Sequence, residues 1–394
     1  MELTGPAWTD EQRDLRDAVR GLLAHQQRRA PGDGDDGRPL WQRLCGEIGV
    51  AGLAIPQRYG GAGAGPVETH IVMEELGRGL TCSPLLGSGV LAAQALLASG
   101  DAAACERLLP AIADGSAVAA LAWTGEAGRW DPGEAAYDAR LTRPARPGHS
   151  DARLTRPARS PHGDDRLTRP GWELDGEAHY VLDGDRADVL LAAARAPDGI
   201  ALFEVDPRQL GVTRRAVTTM DTSRRLAVVR LDGAAGRPVG SGPADAALAR
   251  ARDLACVALS AEQVGAAQRA LELTVAYTQV RVQFGRPIGS FQALQHRMAD
   301  LYVLVESARS LSYAAASAAA VGADDLGLRA AAAKAYCSET LTRVAGEMIQ
   351  LHGAIGITWE HDAHRYFKRA HGAAHLFGRP SGHVARIAAA VIDG

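Results

Sequence analysis

Aromatic side chains and cysteines are scarce in this 394-residue chain, and its positive and negative charges nearly balance. Aromatic residues make up 5% of it against 46% hydrophobic residues in total, which favours helices packed through small side chains. The formal net charge of -3 gives no field that would attract nucleic acid. The cysteines lack the close pairs of a disulfide framework or zinc site, so we expect a cytoplasmic protein. They are Cys45, Cys82, Cys105, Cys256 and Cys337.

Long apolar runs are missing too. No stretch of the sequence reaches the roughly 18 apolar residues of a membrane span. The segment from Met1 to Thr4 lacks the basic and apolar parts of a secretory signal. We therefore expect neither a membrane location nor export. The length exceeds one ordinary hydrophobic core and predicts two or three packed subdomains.

The hydrophobic pattern divides the chain into three regions. A capping box from Thr9 to Gln12 starts an amphipathic helix, and helical patterns continue through 1–122. Short β-type runs punctuated by glycine, aspartate and proline fill 123–242. The helical period returns in 243–394, where one seam carries apolar residues spaced by four and three. The seam consists of Leu294, Met298, Leu301, Val305 and Ala308.

A near-exact repeat built on Arg-Leu-Thr-Arg-Pro lies within the β-type region, at 139–170. It has too few copies for a solenoid, and proline and aspartate interrupt it. A basic docking arm and a duplicated surface loop are both open interpretations. The composition favours the surface loop.

The segment from Tyr277 to Asp300 contains Arg-Val-Gln-Phe-Gly-Arg-Pro-Ile, followed by Phe-Gln and Ala-Asp at fixed offsets. It resembles the signature of the FAD-dependent acyl-CoA dehydrogenase family. Nearly the whole chain shares the resemblance, and the Thr-Trp-Glu-His-Asp string at 358–362 is similar to a bacterial branch that acts on bulky acyl chains. The resemblance implies an N-terminal helical domain, a middle β-barrel-like domain and a C-terminal four-helix bundle. It also implies FAD where they meet, shared across a dimer interface.

The resemblance assigns cofactor roles to particular positions. Arg281 would pair with the FAD pyrophosphate of the neighbouring subunit through its fork of donors, and Phe284 would stack on the adenine. Gln350 and Gly353 would approach the same cofactor, although Ala354 replaces the usual second glycine. The resemblance also implies contacts to FAD from Thr124, Tyr180 and Gln292. Leu182 stands where a hydroxyl is usual.

The catalytic base is absent from its usual place. In Leu376-Phe377-Gly378 the family's glutamate is replaced by Phe377, which keeps the backbone N–H that polarises a thioester carbonyl but supplies no carboxylate. A second location for a base in this family falls on Ala255, which is also inert. Glu262 lies two helical turns further along and is an alternative base, although an interhelical carboxylate is the simpler interpretation.

Paired histidines suggest a metal site, because His361 and His364, and also His371 and His375, have spacings that share a helix face. No cysteine or clear acidic partner is positioned beside them, and the neighbouring basic residues would repel a cation. We therefore predict no metal.

Three functional hypotheses remain open. The leading one is an acyl-CoA dehydrogenase-like flavoprotein with an atypical site, acting on an acyl-CoA or a carrier-protein-bound acyl thioester. It would pass electrons to an acceptor such as electron-transfer flavoprotein. The first alternative is the base-lacking partner in a heteromeric dehydrogenase. The second is a non-catalytic scaffold. The oligomer would be a homodimer, a homotetramer or a heterotetramer with a sister subunit.

Overall fold

The computed structural model describes residues 8–27, 37–142 and 171–393. Most of the predicted repeat at 139–170 therefore lies outside the described residues. The predicted capping box is present, since the Thr9 N–H donates to Gln12 Oε1 at 3.1 Å and the Gln12 N–H donates to Thr9 Oγ1 at 3.2 Å. The N-terminal helices are α1 (Asp10–Gln27), α2 (Arg38–Arg43), α3 (Pro66–Arg78), α4 (Ala93–Ala98) and α5 (Ala102–Ala113).

A β-sheet follows these helices and curls into a barrel. Its strands run in the order β1-β4-β2-β3-β7-β5, and an additional β4–β5 pairing closes the ring. The sixth strand pairs antiparallel with β7. The strands are β1 (Ala119–Ala122), β2 (Tyr137–Leu141), β3 (Trp172–Leu182), β4 (Val189–Ala196), β5 (Gly199–Val205), β6 (Val212–Val217) and β7 (Leu226–Val239).

The C-terminal region is helical, apart from a small hairpin of β8 (Val282–Gln283) and β9 (Arg286–Pro287). On the predicted seam, Leu301, Val305 and Ala308 are buried, whereas Leu294 and Met298 are half-buried. The helices are α6 (Asp245–Val280), α7 (Gln292–Val321), α8 (Leu326–His352), α9 (Ala363–His375) and α10 (Pro380–Asp393).

Two glycines allow α3 of the N-terminal region to pack closely against α6 of the C-terminal bundle. A Cβ on Gly77 of α3 would lie 2.0 Å from the Glu262 carbonyl oxygen, and one on Gly265 of α6 would lie 1.9 Å from the Glu74 carbonyl oxygen. The backbones of α3 and α6 therefore approach too closely for any side chain at these positions. This crossing fixes the position of α6, which runs behind the site described below.

The expected fold class, mainly α with a central β-domain, is confirmed. The boundaries at 122/123 and 242/243 stay predictions, with β1 beginning at Ala119 and α6 at Asp245. Within the described ranges, no helix is long and apolar enough to cross a membrane.

Candidate functional site

The turn after α9 carries Phe377, at the position of the missing base. Phe377 is 1% exposed and has a φ of 58°, in the left-handed region that non-glycine residues rarely occupy. Its ring meets Trp130 edge-to-face with centroids 5.0 Å apart, and Trp130 meets Trp123 in the same way at 5.6 Å. An aromatic cluster therefore surrounds the side chain that replaces the usual carboxylate.

Buried polar side chains from α8 and α10 fix the backbone of this turn. His383 Nε2 donates to the Phe377 carbonyl oxygen at 3.1 Å. Lys334 Nζ donates to the carbonyl oxygens of Ala374 and Gly378 at 3.2 and 3.3 Å. Burial lowers the pKa of Lys334 to about 8 and the pKa of His383 to about 4. The Phe377 N–H donates to no other residue in the described part of the chain, so this backbone donor is unused.

Glu262, the alternative base, lies on α6 and is 5% exposed. Its carboxylate accepts hydrogen bonds from Arg224 and from Arg369 Nη1, the latter at 2.8 Å. Arg369 Nε also lies 3.0 Å from Asp221 Oδ2. Burial alone raises the pKa of Glu262, but the two guanidinium groups outweigh burial and hold the pKa below its ordinary value. The carboxylate is thus ionised, and both guanidinium groups are bonded to its Oε1.

A cavity of about 260 Å³ opens beside the Phe377 turn, between the β-domain and α9. Gly128, Trp130 and Tyr180 line its β-domain side, and Leu376 and Arg379 line its helical side. We call it the turn cavity. Tyr180 of the β-domain and Leu376 of the Phe377 turn therefore line the same space.

The side chains at the predicted β-domain positions contact other residues of this chain. The Thr124 hydroxyl donates to the Arg129 carbonyl oxygen at 2.6 Å, and Thr124 is 3% exposed. Tyr180 has a φ of 55°, and its hydroxyl donates to the Glu126 carbonyl oxygen at 3.2 Å. Leu182 is 4% exposed and part of the core. The Tyr180 hydrogen bond therefore joins the loop after β1 to β3, whereas the Thr124 hydrogen bond lies within that loop.

Arg281 and Phe284 lie together on an exposed face at the end of α6. Phe284 and Gly285 form the two-residue turn of the β8–β9 hairpin, with φ values of 51° and 75°. Phe284 is 92% exposed. No other residue in the described ranges forms a hydrogen bond or ion pair with the exposed Arg281 guanidinium. A strained turn that presents an aromatic ring to solvent is typical of a binding surface.

Gln350 and Gly353 lie at the exposed end of α8. Gly353 has φ 63° and ψ -142°, a conformation that requires glycine, and an added Cβ would meet no atom within 4 Å. Gln350 is exposed, and so is Gln292 at the start of α7. The bare backbone of Gly353 is therefore open to an approaching molecule.

A ring stack joins the two exposed helix ends. The Tyr277 ring on α6 stacks on His352 of α8 with centroids 4.3 Å apart, and the Tyr277 hydroxyl donates to the His352 carbonyl oxygen at 3.3 Å. Because Tyr277 precedes Arg281 by one turn and His352 precedes Gly353 directly, the stack sets the spacing of these segments. We call Arg281, Phe284, Gln350 and Gly353 the exposed cofactor face.

The sequence alone did not indicate several residues of the site. Trp130 gave no sign of a contact with Phe377, because the two lie far apart in sequence. Arg224 and Arg369 meet Glu262 from 38 and 107 residues away, so spacing along α6 could not reveal them. Lys334 offered one usable signal, since it is a lone lysine among alanines in an otherwise apolar stretch of α8.

The histidine pairs do not form a cluster with other ligands. His361 packs against His352 with centroids 4.2 Å apart, and His364 packs against Trp359 at 4.6 Å. His371 contacts the Phe367 ring at 4.3 Å. Nowhere in the described ranges do three or more histidine, cysteine or acidic side chains come together as metal ligands.

A helical domain, a β-barrel and a helical bundle in this order define a class of flavin-dependent oxidoreductase. Family models described as the N-terminal and C-terminal domains of acyl-CoA dehydrogenase match residues 9–116 and 247–392. Acyl-CoA dehydrogenase IpdE2 of Mycobacterium tuberculosis is 38% identical over 377 residues, which cover 94% of each chain. This chain therefore belongs to the acyl-CoA dehydrogenase family, whose members are FAD-dependent flavoproteins.

Solved structures of relatives have the same fold. A variant of the Tcur3481-Tcur3483 steroid ACAD superposes with a TM-score of 0.80 at 31% identity, covering 98% of each chain. The ChsE4-ChsE5 complex from Mycobacterium tuberculosis gives a TM-score of 0.81 at 28% identity, covering 100% of each chain. Each of these two structures is named as a pair of different proteins.

Proposed function

We propose that this chain is the base-lacking subunit of a heteromeric acyl-CoA dehydrogenase. In this assembly its exposed cofactor face would complete an FAD site whose catalytic glutamate belongs to a sister subunit. The observation that carries the proposal is the contrast between the two halves of the site. Phe377 is buried against Trp130, whereas Phe284 is exposed and the exposed Arg281 guanidinium has no hydrogen bond or ion pair with a described residue.

The exposed face fits FAD chemically. A pyrophosphate needs hydrogen-bond donors and positive charge, which the free Arg281 guanidinium offers as a fork. An adenine needs an aromatic surface, which Phe284 offers at 92% exposure. Because Gly353 has no side chain, FAD could approach its backbone closely; any side chain at this position would obstruct that approach. FAD bound here would accept the hydride when an acyl thioester is oxidised.

The chain's own half of the site fits a reacting thioester poorly. Oxidation needs a base at the α-carbon, and removing a general base typically costs a factor of about 10² to 10⁴ in rate. Phe377 has no proton acceptor, and Glu262 is held by Arg224 and Arg369. The unused Phe377 N–H could still polarise a carbonyl, but polarisation without proton removal does not complete the reaction.

The paired naming of the Tcur3481-Tcur3483 and ChsE4-ChsE5 structures supports a heteromer. The substrate would be an acyl-CoA or a carrier-bound acyl thioester held by the sister subunit. Electrons would leave to an acceptor such as electron-transfer flavoprotein.

The test is to produce this chain alone and together with a family member that carries glutamate at the position of Phe377. We expect the pair to co-elute with bound flavin that an acyl-CoA bleaches anaerobically, and the chain alone to show no bleaching. Rapid bleaching by the chain alone would overturn the proposal.

The turn cavity favours a second candidate, a divergent enzyme that uses its own flavin site. Tyr180, His375 and Arg379 line this space of about 260 Å³, which is large enough for part of a thioester. The substitution Phe377→Glu tests this candidate. A gain of acyl-CoA oxidation in the isolated variant would place residue 377 beside the substrate's α-carbon. An inert variant would favour the subunit role.

A further inference from the structure

A second cavity lies against α6, between α3, α7 and the segment before α4. Its volume is about 220 Å³. It shares no lining residue with the turn cavity. Its walls are mainly apolar and include Val90, Leu254, Val257, Ala258 and Ala319. We call it the α6 cavity.

Of the residues that the structure describes, one cationic side chain lines this apolar space. Arg250 lies on α6, and its spacing from Leu254 and Val257 puts all three on one face of the helix. The Arg250 side chain is half-buried and forms no hydrogen bond or ion pair with any described residue. No carboxylate of a described residue lines the α6 cavity. The nearest acid along the helix, Asp253, is already paired with Arg252 and Arg386.

The wall opposite α6 has an unusual backbone. Residues Leu86–Ala92 form a π-helix, a rare conformation that frequently occurs at functional sites. Gly89 and Val90 of this segment line the α6 cavity. Gln94 of α4 also lines it, and its amide donates to the Ala54 carbonyl oxygen at 3.3 Å. The π-helical segment therefore shapes the cavity directly.

We propose that the α6 cavity binds a small carboxylic acid with a compact apolar body, whose carboxylate pairs with Arg250. An engineered apolar cavity of about 150 Å³ holds one benzene, and pockets for drug-sized ligands begin near 300 Å³. A volume of about 220 Å³ therefore suits one ring or a short branched chain. An apolar pocket with one fixed charge is the usual arrangement for orienting such a ligand. This inference does not rest on the proposed function.

Titration calorimetry on the purified chain tests this proposal. Cyclohexanecarboxylate is the probe, and cyclohexanecarboxamide is the uncharged control ligand of the same shape. We expect the acid to bind with a dissociation constant of roughly millimolar or tighter, and the amide to bind at least tenfold more weakly. Loss of the charge-assisted hydrogen bond predicts a drop of about tenfold or more for the acid in Arg250→Gln.

Three further variants separate a specific site from non-specific effects. Arg250→Lys should keep more affinity for the acid than Arg250→Gln, because it keeps the charge. Ala258→Leu should weaken the acid and the amide alike, because added carbons occupy the cavity. Arg195→Gln removes an exposed arginine on β4 and should change nothing. The proposal is overturned if the acid does not saturate, if the amide binds equally well, or if Arg250→Gln binds like the native chain.

Discussion

Replacing Glu262 by glutamine tests the role that the structure gives this carboxylate. The substitution keeps the shape and one acceptor oxygen but removes the charge that Arg224 and Arg369 face. Breaking a buried ion pair by removing one partner costs about 3–5 kcal/mol, because the remaining charge is left uncompensated. Glutamine still accepts a hydrogen bond, and Asp221 still lies 3.0 Å from Arg369, so we expect the lower end, about 3 kcal/mol.

Urea unfolding monitored by circular dichroism measures this loss, and Glu339→Gln is the matched control. Glu339 is an exposed glutamate on α8 without a hydrogen-bond partner in the described part of the chain, and its replacement should change stability by less than about 0.5 kcal/mol. An unfolding midpoint for Glu262→Gln equal to that of Glu339→Gln would refute the ion-pair account.

The pH dependence gives a second check on the same variant. The folded-state pKa of Glu262 lies below its ordinary value of 4.5, because Arg224 and Arg369 outweigh burial. A depressed carboxylate pKa contributes stability that is complete above the unfolded-state pKa and is lost as pH falls through the folded-state value. The stability gap between the native chain and Glu262→Gln should therefore be constant above about pH 5 and shrink below pH 4.5.

Three other predictions follow from the site. Trp130→Ala should cost about 3–5 kcal/mol in urea unfolding, because it removes the ring that packs against Phe377 and leaves a cavity; a loss below 1 kcal/mol would contradict this packing. Burial lowers the pKa of Lys334 from 10.5 to about 8, so the native chain should gain stability relative to Lys334→Met as pH rises between these values, and parallel pH profiles would contradict the shift. Phe284→Ala should leave unfolding unchanged but reduce the flavin content of the assembled protein, whereas Leu210→Ala, at a position 97% exposed, should do neither.

The sequence predicted most of the regular structure because the hydrophobic period is strong. Five of the strands, β1, β3, β4, β5 and β7, coincide with apolar runs of the sequence, whereas β2 and β6 do not. In β6, from Val212 to Val217, the polar run Thr-Arg-Arg interrupts the apolar pattern, and no side chain of the strand is buried. Such a strand forms by backbone pairing with β7, which only the folded chain reveals.

The residues of the exposed cofactor face, and Phe377 itself, could be named from the sequence, whereas the contacts that surround Phe377 could not. Arg281, Phe284 and Gly353 belong to continuous motifs, so their positions could be named from sequence. The environment of Phe377 depends on Trp130 and Lys334, which reach it from the β-domain and from α8. Contacts between residues so distant in sequence leave no periodic pattern to detect.

In the proposed heteromer, the exposed cofactor face completes an active site whose base lies in another subunit. The most direct measurement is anaerobic bleaching by acyl-CoA of the complex between this native chain and a sister subunit whose catalytic glutamate has been changed to glutamine. We expect the complex to keep its flavin but to bleach about 10² to 10⁴-fold more slowly, because no base remains. Bleaching at the rate of the unmodified complex would show instead that this chain supplies the base itself.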